Sequence, residues 1–215
     1  MRTRSNIIVA TVLLAVIALI GAWRNAAIGE PAAPSPKATQ QIVLAGGCFW
    51  GMEAVFESLK GVSSAVAGYA GGNKDTAHYD MVSTGDTGHA ESVQITYDPS
   101  QITFGQILSV YFLVAHDPTE LNRQGPDEGT QYRSAIFYGS DAQKHAAEAY
   151  IKQLEASKTF DAPIVTQVVP LHRFYAAEEY HQHFVQRNPD YPYVVFNDLP
   201  KLKHLREQFP QLVKK

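Results

Sequence analysis

An abrupt change of hydrophobic period near residue 46 constrains the fold of this chain more than any other feature. Residues 41–45 (QIVLA) form a short apolar run that predicts a strand, and two glycines then interrupt it. Beyond the glycines, apolar residues recur at helical spacing: Met52, Val55, Phe56 and Leu59. This stripe is typical of an amphipathic helix, so the chain passes from a strand into a helix through a short turn.

Strand and helix patterns alternate over the rest of the chain. Strands are predicted over residues 62–69, 92–97, 133–138 and 164–169. Thr103 with Gln106 and Ser140 with Gln143 predict two helix starts, and a short helix is expected over residues 176–186. We therefore expect an α+β fold, a split-βαβ (ferredoxin-like) plait in which helices pack on a mixed sheet. The long loops 70–90 and 116–131 are expected to line the functional site.

The first 40 residues differ in composition from the remainder. Arg2 and Arg4 precede an apolar run over residues 7–23, which is typical of a cleaved signal peptide or of an N-terminal membrane anchor. Residues 1–29 are assigned to this segment, and residues 30–40 predict a Pro/Ala-rich linker. Residues 41–215 then form one domain. We expect it to be exported, to the periplasm or the extracellular space, either free or tethered by residues 6–23.

Charge and motif content exclude several function classes. The formal net charge is −3, so the basic footprint of a nucleic-acid-binding domain is missing, and no phosphate or dinucleotide fingerprint is found. We therefore expect no nucleic-acid partner and no bound cofactor. His181 and His183 are two residues apart, a spacing that splays imidazoles on a helix, so no metal is expected. The basic stretch 202–215 is interpreted as a solvated tail.

The only cysteine, Cys48, lies in residues 46–51 (GGCFWG), between the predicted strand and helix. The first amide N–H groups of a helix and the positive end of its dipole favour a thiolate and lower a thiol pKa. This position predicts a nucleophile, with Phe49 and Trp50 as aromatic walls of a pocket. The alternative is an inert buried side chain, because a free cysteine often behaves as a small hydrophobe.

Glu91 shares strand parity with Val93, Ile95 and Tyr97, so the predicted strand would direct it toward the apolar face. Burial raises the pKa of a carboxyl, which can then donate a proton near neutral pH. The alternative is a solvated loop residue. Three tyrosines, Tyr69, Tyr79 and Tyr132, stand in or beside the long loops, where each is either a core residue or a hydrogen-bond donor to a ligand.

Two reactions suit an activated thiol near an acid and tyrosine hydroxyls. One is acyl transfer by a cysteine–histidine pair, with His89 or His116 as the base. The other is redox chemistry, in which a thiolate attacks an electrophilic heteroatom and becomes a sulfenic acid. The redox reaction needs an acid to protonate a departing oxygen and needs no histidine base.

Four segments resemble motifs of the A-type peptide methionine sulfoxide reductases. They are residues 46–51 (GGCFWG), 68–72 (GYAGG), 85–91 (GDTGHAE) and 129–134 (GTQYRS), and the resemblance runs over residues 42–188. It implies an α+β plait and thiol-dependent reduction of methionine-S-sulfoxide, in peptides and as the free amino acid, which repairs oxidised proteins. The sulfoxide oxygen leaves as water and Cys48 is left as a sulfenic acid.

The resemblance also implies roles for individual residues. Cys48 is the nucleophile and Glu91 is the acid that protonates the sulfoxide oxygen. Phe49 and Trp50 receive the substrate methyl group. Tyr79 and Tyr132 hydrogen-bond the oxygen, and Asp127 helps to hold the substrate.

The chain departs from many members of this family in its cysteine content. Those members carry recycling cysteines, commonly near the C-terminus, whereas residues 192–215 contain none. We therefore expect an external thiol reductant, namely thioredoxin, a glutaredoxin or glutathione. We also expect a monomeric enzyme. A non-catalytic binder of oxidised methionine is the alternative from another functional class.

Overall fold

The computed structural model describes residues 38–214. The predicted signal or anchor segment and most of the predicted linker lie outside the described residues, so both remain predictions. Within residues 38–214, no helix combines the length and the apolar character that crossing a membrane requires.

The chain contains eight strands within the described range. They are β1 (Gln40–Ala45), β2 (Val62–Ala70), β3 (Ala90–Tyr97), β4 (Arg123–Gln124), β5 (Asp127–Glu128), β6 (Ala135–Tyr138), β7 (Gln167–Pro170) and β8 (Phe174–Ala176). Six of them form one sheet in the order β7-β6-β1-β3-β2-β8, while β4 and β5 form a small separate hairpin. Only β6 and β7 pair in parallel, so the sheet is mixed, as predicted.

Six α-helices accompany the strands in the described part of the chain. They are α1 (Phe49–Glu57), α2 (Tyr79–Val82), α3 (Phe104–Val110), α4 (Asp141–Ala156), α5 (Phe184–Arg187) and α6 (Leu199–Gln208). Short π-helical stretches, Tyr111–Ala115 and Val194–Asp198, follow α3 and precede α6. The predicted capping box at Thr103 and the predicted cap at Ser140 are both present.

The elements β1-α1-β2-β3-α3-β6 form the predicted split-βαβ plait. Their strands lie in the order β6-β1-β3-β2, so β3 separates the two strands that α1 connects. One sheet face packs on the helices through Ile42 and Leu44, and the opposite face uses Val43 and Ala45. The α1 residues of the predicted stripe are buried in the main core. The end of β1, the end of β2 and the start of β3 meet at one edge of this core.

The C-terminal region differs from the sequence predictions. Residues 176–186 do not form one helix; they contain the end of β8, a 3₁₀ turn (Glu179–His181) and the start of α5. The stretch 202–215 is not a solvated tail, because most of it belongs to α6 or packs beside it. Leu205 is fully buried and the Leu212 carbonyl accepts from the Lys60 N–H at 2.7 Å. Few apolar residues anchor this helix, so its periodic signal is weak.

Candidate active site

A cavity of about 190 Å³ opens where β1, β2 and β3 meet the first turn of α1. Nine residues line it: Cys48, Phe49, Trp50, Tyr79, Glu91, Asp127, Tyr132, Tyr191 and Tyr193. All seven residues expected from the sequence are among them, although they come from four separate segments. A larger cavity of about 460 Å³ lies beside β1 and α4 and includes none of the seven.

Cys48 is the N-cap residue of α1, as the change of period predicts, and the residue is only 8% exposed. The two preceding glycines allow the chain to pass between neighbouring side chains. A Cβ on Gly46 would lie 2.7 Å from the His116 ring, and one on Gly47 would lie 2.6 Å from the Gln124 side chain. Gly47 also has a φ of +90°, which other residues rarely adopt. The glycine pair thus fixes the place of the sulfur.

The predicted lowering of the Cys48 pKa is wrong for the ligand-free protein. Burial raises the pKa of the thiol well above its ordinary value, and the nearby Glu91 and Asp198 carboxyls raise it further. The Trp50 backbone N–H opposes this effect but does not overcome it. The helix N-terminus is present, yet loss of water and adjacent carboxyls outweigh its stabilisation of a thiolate, so Cys48 is a thiol at neutral pH.

Glu91 lies near the start of β3 and is 2% exposed, on the same buried face as Val93 and Ile95. Its Oε2 accepts a hydrogen bond of 3.0 Å from the Phe49 backbone N–H, which ties it to the residue after Cys48. Burial raises its pKa to about 8. Glu91 is therefore mainly protonated at pH 7 and can act as a proton donor in the cavity.

Tyr79 and Tyr132 reach the cavity from the two long loops. Tyr79 begins α2 and Tyr132 ends a 3₁₀ turn (Thr130–Tyr132). Burial, followed by the Glu91 carboxyl, raises the pKa of Tyr79 to about 12 and also raises that of Tyr132. No other side chain or backbone group between residues 38 and 214 hydrogen-bonds to either hydroxyl, so both are neutral donors that can serve a ligand. Tyr69 differs, since its hydroxyl donates to Glu178 at 2.8 Å.

The Trp50 indole forms an aromatic wall and is held from several sides. Its Nε1–H donates to His181 Nδ1 at 3.0 Å, and its ring stacks on Phe184 with centroids 3.7 Å apart. Tyr191 and Tyr193 meet the indole edge-on at 6.2 and 5.8 Å. The sequence did not predict these two tyrosines or the role of His181. All three residues follow β8 in a segment whose apolar residues show neither helical nor strand spacing. The Tyr-Pro-Tyr sequence of residues 191–193 matches no motif that would mark it as part of a site.

Asp127 lies in β5 of the small hairpin and closes another side of the cavity. It accepts a hydrogen bond from the Tyr193 hydroxyl. Burial raises the pKa of Asp127, whereas Tyr193 and Lys201 oppose that shift. The contact joins the hairpin to the C-terminal region, so the cavity wall is assembled from distant parts of the chain.

The histidines considered as bases are occupied elsewhere. His116 bonds through Nε2 to Ser134 Oγ at 2.7 Å and through Nδ1 to the Tyr111 carbonyl at 2.9 Å. His89 bonds to the Asn73 carbonyl and accepts from the Gly72 N–H. No imidazole in the described range hydrogen-bonds to the Cys48 sulfur, which argues against acyl transfer by a cysteine–histidine pair.

A second cluster of ionisable groups lies on the far part of α1. Ligand-type atoms of Glu53, Glu57 and His183 fall within 4.8 Å of one another. Direct contacts already join them: His183 Nδ1 lies 2.5 Å from Glu57 Oε1, and the His183 N–H donates to Glu53 Oε2 at 2.7 Å. Burial and Glu57 raise the pKa of Glu53 to about 7. We interpret this cluster as a set of contacts that ties α1 to α5.

Comparison with known proteins places this geometry in a family. The model of the peptide methionine sulfoxide reductase family matches residues 40–213. The chain is 58% identical over 183 residues to peptide methionine sulfoxide reductase MsrA 2 of Mesorhizobium japonicum, covering 85% of this chain and 92% of the relative. It is 52% identical over 185 residues to the protein of the same name in Synechocystis, covering 86% of each.

Two solved structures resemble the fold. Reduced Mxr1 from Saccharomyces cerevisiae gives a TM-score of 0.68 at 36% identity, covering 73% of this chain and 89% of that one. Methionine sulfoxide reductase A of Corynebacterium diphtheriae gives 0.62 at 35% identity, covering 72% and 77%. These similarities confirm the α+β fold expected from the sequence.

Proposed function

Because this chain belongs to the peptide methionine sulfoxide reductase family, we propose that the cavity around Cys48 is where it reduces its substrate. The protein is a peptide-methionine (S)-S-oxide reductase, which converts methionine sulfoxide to methionine and repairs oxidised proteins. We assign the reaction to this cavity because the only cysteine, Cys48, and the buried, neutral carboxyl of Glu91 both line it.

The cavity offers complementary surfaces for the two ends of a sulfoxide group. We assign the substrate methyl group to the wall formed by Phe49 and Trp50, where apolar burial is favourable. The oxygen then faces the Glu91 carboxyl and the hydroxyls of Tyr79 and Tyr132, which are donors at neutral pH. Asp127, on the remaining side, is assigned to the polar backbone of the substrate.

The first half-reaction transfers two electrons from Cys48 to the sulfoxide. Glu91 protonates the sulfoxide oxygen as the Cys48 sulfur attacks the substrate sulfur, and the thiol proton returns to Glu91. Glu91 then passes the thiol proton to the same oxygen, so the substrate S–O bond breaks and the oxygen leaves as water while the two sulfurs stay bonded. A water molecule displaces methionine from Cys48: the S–S bond breaks, one proton of that water returns to Glu91, and its OH group stays on Cys48 as a sulfenic acid. The thiol keeps its proton until substrate arrives, in agreement with its raised pKa.

The second half-reaction needs two thiol equivalents from outside the 215 residues, because Cys48 is their only cysteine. The first thiol displaces water from the sulfenic acid and forms a mixed disulfide, and the second releases Cys48 and a disulfide of the reductant. Since Cys48 is 8% exposed, the incoming thiol must enter the cavity. Glutathione fits this requirement directly, whereas thioredoxin or a glutaredoxin must present its cysteine on a protruding segment.

Replacement of the sulfur tests the assignment. Cys48→Ser should retain its fold and lose turnover of a methionine-sulfoxide peptide with dithiothreitol, because serine cannot form a sulfenic acid. Wild-type enzyme given substrate without reductant should release one methionine per chain and label with a dimedone-type probe at Cys48. Substantial turnover by Cys48→Ser would exclude this mechanism. Substrate binding by wild type without labelling or methionine release would favour the binder instead.

We also propose that the protein is exported, with residues 6–23 as its targeting or anchoring segment. The support is the positively charged start followed by the apolar run. The mass of the protein recovered from fractionated cells would identify the mature N-terminus. A full-length chain recovered in the cytosolic fraction would exclude export.

A further inference from the structure

Glu178 bridges two segments that carry groups of the active site, although it does not line the cavity. It lies between β8 and the 3₁₀ turn Glu179–His181. Its Oε1 accepts from the Tyr79 backbone N–H at 3.0 Å, and its Oε2 accepts from the Tyr69 hydroxyl at 2.8 Å. Both carboxylate oxygens are thus engaged, one with the loop after β2 and one with β2 itself.

The Tyr69 contact reaches the part of the sheet that supports the proton donor. Tyr69 is fully buried in β2, directly opposite Glu91 in β3. Its ring lies 5.9 Å from that of Phe49, whose N–H holds Glu91. Glu178 is therefore anchored, through Tyr69, to the rigid frame on which Glu91 sits.

The Tyr79 contact holds the long loop that brings the Tyr79 side chain to the cavity. Residues 71–89 connect β2 to β3, and Tyr79 begins the single turn α2 within them. The preceding residue, His78, provides no side-chain cap, so the Tyr79 N–H depends on Glu178 for its acceptor. The Tyr79 ring also packs on His181, three residues beyond Glu178, with centroids 4.4 Å apart.

We propose that Glu178 is a positioning residue for sulfoxide reduction. By accepting hydrogen bonds from both Tyr79 and Tyr69, it fixes Tyr79 relative to Glu91. The inference rests on the proposed role of Tyr79 as a hydrogen-bond donor to the sulfoxide oxygen. Misplacement of a group by about 1 Å can cost on the order of 100-fold in rate, so a bridge of this kind affects turnover without touching substrate.

A double-mutant cycle tests the proposal on the full-length protein with a methionine-sulfoxide peptide and dithiothreitol. Glu178→Ala should lower kcat by about tenfold, as expected for a lost alignment of one donor. In a Tyr79→Phe background the same change should cost less than about twofold, because the hydroxyl it positions is already missing. Tyr69→Phe removes only the Tyr69 contact of Glu178 and leaves the Tyr79 contact in place. It should therefore lower kcat less than Glu178→Ala does.

The matched control is Glu179→Ala, the neighbouring glutamate, whose side chain is 82% exposed and contacts Arg187. It should leave kcat and KM unchanged. Glu178→Gln, which keeps an oxygen for the Tyr79 N–H, should retain most of the wild-type kcat. If Glu178→Ala fails to fold, Glu178→Met replaces it in the cycle, because it keeps the length of the side chain and removes both accepting oxygens. An equal loss in both backgrounds, or no loss when both oxygens are removed, would overturn the positioning role. Failure of wild type to reduce methionine sulfoxide would instead overturn the proposed function.

Discussion

At the scale of single residues, the active site is governed by how burial changes proton affinities. Glu91 and Cys48 border the same cavity, and burial raises the pKa of both. Each therefore holds its proton near neutral pH, which gives the site a neutral acid and a neutral thiol rather than an ion pair. A sulfoxide oxygen needs a proton as it departs, so this arrangement supplies what the reaction consumes.

The raised pKa of Glu91 predicts the alkaline limb of the pH profile. Wild-type kcat/KM should fall as pH rises through about 8, because the carboxyl loses the proton it must donate. Glu91→Gln cannot donate a proton and should lose on the order of 100-fold in kcat/KM. Its remaining activity, measured from pH 6 to 9.5 on a methionine-sulfoxide peptide, should lack the limb near 8.

Glu128→Gln is the control for this profile, since Glu128 is exposed in the hairpin beside the cavity. It should keep both the rate and the limb of wild type. A Glu91→Gln enzyme that still loses activity around pH 8 would show that another group carries the proton.

At the scale of elements, the turn from β1 into α1 determines where the sulfur lies. Gly47 has a positive φ and lies against the Gln124 side chain, while Cys48 follows as the N-cap of α1. The amphipathic stripe of α1 anchors the helix in the core, so the turn has little freedom to adjust. Strand, turn and helix thus place Cys48 at the cavity, with Gln124 of the loop 116–131 packed against the turn.

Gly47→Ala should therefore impair activity more than folding. The new Cβ would lie 2.6 Å from Gln124 Cγ in a strained backbone conformation, so the turn and Cys48 must shift. We expect kcat/KM to fall by about tenfold or more, since reacting groups tolerate little displacement.

Gly105→Ala provides the matched control, because a Cβ there meets only Thr103 Oγ1, at 3.9 Å. It should keep full activity and gain up to about 1 kcal/mol in the free energy of unfolding, since Gly105 lies in α3. Equal activity of the two alanine variants would show that the Gly47 turn can relax without moving the sulfur.

At the scale of the whole molecule, the C-terminal region belongs to the catalytic unit. Tyr191 and Tyr193 line the cavity, His181 and Phe184 hold Trp50, and Leu205 of α6 is fully buried in the main core. The Lys214 N–H donates to the Ser58 carbonyl at 2.8 Å, next to the end of α1. Residues up to Lys214 therefore support α1, whose N-cap residue is Cys48.

Leu205→Ala tests this integration. Removal of a fully buried leucine side chain should lower the free energy of unfolding by about 2–5 kcal/mol, measured by urea denaturation. Leu199→Ala, on the same helix but 37% exposed, should cost clearly less. A small and equal effect of both changes would restore the interpretation of residues 202–215 as a solvated tail.

Hydrophobic periodicity and local motifs were sufficient to predict many features of this protein from its sequence alone. The change of period fixed β1, the turn and α1, and strand parity directed Glu91 inward, because both periodicities follow from backbone geometry. The motifs around Cys48, Glu91, Tyr132 and Tyr69 identified the family, and the split-βαβ order followed from the succession of elements. These features depend on neighbours that are close in the chain.

Only the tertiary structure decided the rest, because it depends on contacts between distant segments. Residues 176–198 carry little periodic signal, yet they fold against α1 and supply Tyr191, Tyr193 and His181 to the site. The pKa of Cys48 is likewise raised, whereas its position at a helix N-terminus predicted a lowered value. Burial and carboxyls from other elements outweigh the effect of the helix on the thiolate. The sequence alone thus predicted that the sulfur lies at the N-terminus of a helix. The tertiary structure determined its protonation state and the side chains that surround it.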